Sequence, residues 1–301
     1  MPSAGHMKKL LGFSLPVATA NIFGGMVGGF GLVFLGYFVL PTVIGNIGIA
    51  SRTSSLMSII FDSISFAILP AFSAITVNKK LKGQLGRIYG YTVYLAILVV
   101  SPLLFYIAIF SLPFSYTLFG SSYASAYLYM SILSMGLLLG IAGSYANTLL
   151  IGMGRVKLAF KYNFLVYMAT LLLFLVLVPL FGGIGYAITS FLIAPLLIDI
   201  VFINKLRRTF AINFRVRKLL GIIGANTIVS LILLLLYFAF SGILLLVFAV
   251  IGFCILYPLA AVALGGADRG DISTLKDISR GIPIVGHVLS FFADYANMVI
   301  R

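Results

Sequence analysis

The segment ASRTSSLMSIIFDSIS, Ala50 to Ser65, puts an arginine, an aspartate and seven hydroxyl side chains into one stretch of membrane-crossing length. Around it lies a chain of 301 residues that is 62% hydrophobic, with a mean hydropathy of +1.19. Only 9% of the residues are charged. Soluble domains carry about 25% charged residues, so this chain could not clothe a water-facing surface. The composition therefore predicts an all-α integral membrane protein.

A crossing needs about 20 mostly apolar residues. About eight segments qualify: 12–37, 44–75, 89–113, 128–152, 159–180, 184–204, 219–240 and 243–265. The apolar block after Lys8 and Lys9 is too long, and too closely followed by others, for a secretory signal. Basic residues occupy alternate connections. Lys79, Lys80, Lys82 and Arg87 follow the second segment, Arg155 and Lys157 the fourth, and Lys205 to Lys218 the sixth. The other loops, near 38–43, 114–127, 181–183 and 241–242, hold no charge. Lysine and arginine favour the cytoplasmic side, so both termini are expected inside. The net charge of +14 thus reads as topology, with anionic lipid headgroups as partners, and not as a nucleic-acid surface.

The expected organisation is an N-terminal tail over 1–11, a six-helix transporter-type lobe over 12–205, two additional helices over 206–265, and a tail over 266–301. In the tail, Ile278, Ile282, Val285, Leu289, Phe292, Ala296 and Val299 recur at steps of three and four. That is the stripe of an amphipathic segment, either interfacial or a cytoplasmic cap.

In a helix, Ser51, Ser55, Ser58, Asp62 and Ser65 fall on one side, with Arg52 beside the outer end. Arg52 and Asp62 stand ten positions apart, about 15 Å, too far to pair. A charge at the bilayer centre costs about 2.5–3.5 kcal/mol, so the stripe must face protein or water. Two readings stand. In one, the serines serve close helix packing and Arg52 snorkels outward. In the other, the stripe lines a wet cavity where Arg52 grips phosphate oxygens. Asp62 would then be a counter-charge or a cation-coupling carboxylate. Asp199, near the cytoplasmic face, is expected to pair with a basic loop residue. Gly24 with Gly28, and Gly25 with Gly29, form small-residue pairs that permit either close helix approach or a bend.

Enzyme chemistry finds little to work with. Both histidines lie in terminal segments, the one cysteine is Cys254, and no close carboxylate pair or phosphate-binding loop occurs within a span. No catalytic residue, metal site or cofactor is expected.

Several short motifs carry a family resemblance. They are LVFLGYF (32–38), VIGNIGIASR (43–52), LPAFS (69–73), LFGSSYASA (118–126), GMGR (152–155) and VPLFGGIGYAIT (178–189). In their order the chain resembles the polysaccharide-biosynthesis flippases, lipid-linked oligosaccharide exporters of the multidrug/oligosaccharidyl-lipid/polysaccharide superfamily. The likeness is to the C-terminal lobe plus two helices. Gly31 stands where many members carry an aspartate, and Ile47 where an aromatic is common.

The resemblance implies a multi-pass protein of the cell membrane that flips a polyprenyl-phosphate-linked glycan. Joined to the wet-cavity reading of the stripe, it makes Arg52, Ser51, Ser55, Ser58 and Ser65 the expected substrate contacts and Asp62 the candidate for ion coupling. Since such exporters have two lobes, it also implies a second lobe or a homodimer. A cation-coupled drug exporter and a non-transporting scaffold are the alternatives.

Overall fold

The computed structural model describes residues 4–77, 84–123, 125–210, 212, 214–240, 243–268, 270, 271 and 273. The described residues are helical throughout, with short turns and no strand. In chain order the helices are α1 (Ala4–Leu35), α2 (Pro41–Val77), α3 (Leu85–Phe119), α4 (Ala126–Leu139), α5 (Ile141–Gly152), α6 (Val156–Ala187), α7 (Ala194–Thr209), α8 (Val216–Phe240) and α9 (Ile243–Ala263). Among the described residues, four stretches are long and apolar enough to cross a membrane. The pair α4–α5, bent by 47°, makes a fifth if taken as one span. The fold is an all-α polytopic membrane bundle, as the composition predicts.

One of those stretches, Val156–Arg208, is 53 residues long. A straight helix of that length would measure about 80 Å against a hydrocarbon layer of about 30 Å. It instead doubles back inside the FGGIGY motif. Gly182 has φ +54°, a left-handed conformation open to glycine at no steric cost. Beyond it the chain returns along itself, and Phe174 stacks on Tyr186 with ring centroids 5.3 Å apart. The returning arm contains one π-helical turn, Ile188–Ile193, before α7.

Proline decides several local features. Pro102 in α3 cannot donate to the Leu98 carbonyl. The Tyr257 hydroxyl of α9 fills that vacancy, donating to Leu98 O at 2.8 Å. Pro195, at the start of α7, has no N–H to give the Phe191 carbonyl one turn back. That carbonyl presses on Gly136 of α4, where an added Cβ would sit 1.3 Å from the oxygen. Gly143 of α5 continues the seam, with Asp199 seated against it.

The core is aromatic. Tyr89, Tyr94, Tyr145, Phe72, Phe110, Phe174 and Phe202 are all fully buried. One apolar cluster runs from Val27 of α1 through α3 to Ala261 of α9, so α8 and α9 share a core with the earlier helices. Polar bonds reinforce this. Asn226 Nδ2 donates to Ser101 Oγ at 2.9 Å, and the Tyr106 hydroxyl donates to Leu246 O at 3.0 Å.

The glycine pairs of α1 do not behave as their spacing suggests. Gly24 and Gly31 face α6, against the rings of Tyr167 and Phe174. Gly25, Gly28 and Gly29 have open space where a side chain would point. The reason is rotational. Positions 24 and 31 are seven apart and share one helix face, and only that face meets α6.

Candidate functional site

In α2 the helix rotation is set by its buried residues. Ala50, Thr53 and Ser54 turn inward. That leaves Arg52 and Ser55 exposed and Ser51 and Ser58 half-buried. Their exposed neighbours Leu56 and Ile59 mark the same side as uncovered among the described residues. The hydroxyls are satisfied locally, Ser55 donating to Ser51 O at 2.9 Å and Ser58 to Ser55 O at 3.0 Å. Ser65 turns onto α5, its Oγ 2.9 Å from Thr148 Oγ1. The upper stripe and Ser65 therefore have different surroundings. Arg52 takes part in none of the ion pairs among the described residues. Asp62 lies in α2, but its side chain is outside the described residues, as are Lys79, Lys80, Lys82 and the apolar stripe from Ile278 to Val299.

Asp199 corrects an expectation. Its Oδ1 accepts the Gly143 N–H at 2.5 Å, a backbone partner that the sequence reading did not foresee. The close α5–α7 seam, opened by a glycine, brings this backbone donor against the carboxylate.

A second polar region was not singled out in the sequence. Asn21 of α1, Asn147 of α5 and Asn163 of α6 line a small cleft of about 20 Å³. Asn163 Nδ2 donates to Asn147 Oδ1 at 3.3 Å. A signal for one pair exists: α5 and α6 meet at the turn Met153–Arg155, and residues 147 and 163 are equidistant from Arg155. Next along the seam is an open cleft of about 430 Å³, lined by Gly12, Phe13 and residues 154–158, including Arg155 and Lys157.

The described cations and anions otherwise meet where α9 ends. Asp271, 1% exposed, accepts from Arg215 Nη1 at 3.2 Å and pairs with Lys218. The Tyr94 hydroxyl of α3 lies 2.8 Å from Asp271 Oδ2 and 2.6 Å from Gly266 O. Arg215 also stacks over Tyr91, 4.6 Å from the ring centroid. Lys218 reaches Asp268 as well, at 2.5 Å. Burial works against ionisation of Asp268, but the Lys218 ammonium and the Asp271 N–H hold its carboxyl down to about 2. The start of the tail is thus bolted to α3 and α8.

An all-helical polytopic bundle with a polar stripe left uncovered on one edge is the class this geometry defines. Residues 1–128 match the model of a family described as polysaccharide biosynthesis protein. The likeness to that family extends over 128 of the 301 residues, from the first helix to the start of α4. It covers four of the motifs quoted above, from Leu32 to Ala126; GMGR and VPLFGGIGYAIT lie beyond it. Comparison with curated proteins and with solved structures gives no match.

Proposed function

We propose that this chain is one lobe of an exporter that flips a polyprenyl-phosphate-linked oligosaccharide or polysaccharide precursor across the cell membrane. The observation that carries the reading is the uncovered stripe of α2 within the segment that matches the family. Arg52 and the serines form one wall, and a second lobe or a second copy of the chain supplies the other. The lobes rock about a site between them, which is how paired repeats give alternating access. Arg52 attracts the phosphate and the sugar crosses through water. The lipid tail stays in the bilayer. No bond of the substrate is made or broken, so the protein is not an enzyme. Eight crossings with both termini inside complete the arrangement.

The test is glycan export in cells carrying Arg52→Ala or Asp62→Asn. Loss of export with Arg52→Ala supports the assignment; undiminished export rejects it. If Asp62→Asn alone abolishes transport, the cation-coupled exporter of small molecules is the better reading. A lone monomer that copurifies with neither lipid nor partner would favour a scaffold.

A further inference from the structure

The two clefts between α1 and α6 lie end to end and share Val156 in their linings. We propose that this seam binds the phosphorylated sugar headgroup of the lipid-linked precursor, with phosphate at the mouth and sugar hydroxyls further in. The substrate class rests on the function proposed above; the site itself rests on the following geometry.

The mouth offers about 430 Å³ beside Arg155 and Lys157. Both are exposed, and neither belongs to an ion pair among the described residues. Arginine holds phosphate oxygens through its planar fork and lysine as a point charge. Gly12 also lines the mouth, and Pro16 cannot donate to its carbonyl, which leaves an acceptor there.

Further in, three amides converge from three helices. Asn163 is 8% exposed, and its one described side-chain bond is the long one to Asn147. Among the described residues its Oδ1 has no donor, and Asn21 has no side-chain partner. An asparagine amide carries two donor hydrogens and two acceptor lone pairs, the complement of a sugar hydroxyl. Of the three, Asn163 is buried, Asn147 half-buried and Asn21 exposed, so the amides grade from the interior to the open side of the seam.

The inner cleft, about 20 Å³, has room for roughly one water. A sugar enters only if the start of α1 parts from α6. Pro16 lines this cleft and already lacks one helical bond, so α1 tilts there at least cost. Arg52 is a separate point, thirteen positions from Ser65 on α2, or about 20 Å along the helix.

The chain has no tryptophan, so Phe160→Trp in the inner cleft gives a single indole that can be excited apart from the tyrosines. The full chain with this reporter is placed in phosphatidylcholine nanodiscs and titrated with polyprenyl diphosphate N-acetylglucosamine. Saturable quenching is expected, with affinity falling about threefold to tenfold in Asn163→Ala and Asn21→Ala, and further in the Arg155→Gln/Lys157→Gln pair. Asn21 is exposed, so its variant stays informative if Asn163→Ala misfolds. Absent quenching, or affinities untouched by Asn21→Ala, overturns the proposal. An equal response to inorganic phosphate, or to nanodiscs doped with phosphatidylglycerol, also overturns it, because cations alone would then be reading the charge. Translocation of the same probe in proteoliposomes separates the two ideas. Transport indifferent to these variants sinks the headgroup site and leaves the export reading. Binding without transport does the reverse.

Discussion

Replacing Asp271 with asparagine tests whether the tail-end ion cluster holds α8 and α9 onto the bundle. The carboxylate is buried and takes bonds from Arg215, Lys218 and Tyr94. Removing one member of a buried ion pair costs about 3–5 kcal/mol when the other charge is stranded. Here the stranding is partial. Arg215 has a side chain 45% exposed and its Tyr91 ring, and Lys218 keeps Asp268. Asparagine also preserves an acceptor for Tyr94. The expected loss is therefore about 2–3 kcal/mol, a fall in melting midpoint of roughly 5 °C. Cys254, the one cysteine of the chain, sits in α9 next to Phe253, which packs edge-on against Tyr106 of α3. A maleimide dye that fluoresces on reaction will report the moment α9 leaves α3 during a thermal ramp in detergent. Asp271→Asn must react earlier than the parent, and Asp268→Asn, altering a mostly exposed carboxylate, must shift it by much less. Coincident curves for the Asp271 variant and the parent would refute the reasoning.

Other outcomes follow from the same geometry. Gly143→Ala should cost well over 2 kcal/mol or abolish folded yield, because the new Cβ meets Asp199 backbone nitrogen at 2.7 Å; size-exclusion yield in detergent reads this. Gly28→Ala, with nothing within 4 Å, should instead stabilise the helix by about 1 kcal/mol in the same thermal ramp. Asp199→Asn keeps an oxygen for the Gly143 N–H and should be nearly silent, whereas Asp199→Ala should lose about 1–3 kcal/mol; equal losses would point to a hidden ionic partner. The depressed Asp268 carboxyl adds stability that is fully present above its ordinary range near pH 4 and lost as pH falls through about 2. That slope, measured by circular dichroism melts, should vanish in Asp268→Ala.

The all-helical class was legible because hydropathy depends on local chemistry, and FGGIGY announced the reversal that Gly182 makes. The count was less so: eight segments were expected, whereas the described residues form nine α-helices, with four or five stretches long and apolar enough to cross. The polar stripe of α2 was visible from spacing, and its upper part does share one side of the helix. What spacing could not give was the partner of each face. Gly24 and Gly28 read as a pair, yet of the α1 glycines it is 24 and 31 that meet α6 side chains. Asp199 looked for a cation because charges were all the sequence displayed; a backbone N–H carries no letter. Asn21 and the Tyr94–Asp271 contact escaped notice because each joins helices distant in sequence, 177 positions apart in the second case.

The bonds that stitch α3 to the last two helices impose an order on biogenesis. Tyr94, Ser101 and Tyr106 find their partners between 125 and 177 residues downstream. At ribosomal rates of about 5–20 residues per second, that delay is roughly 6–35 s. During it, α3 carries hydroxyl groups without their final partners, Tyr94 and Tyr106 lacking acceptors and Ser101 a donor, in a medium that offers none. The insertion machinery must shelter α3 until α9 emerges, so stop codons placed before Ile243 should leave a nascent bundle prone to quality-control proteolysis.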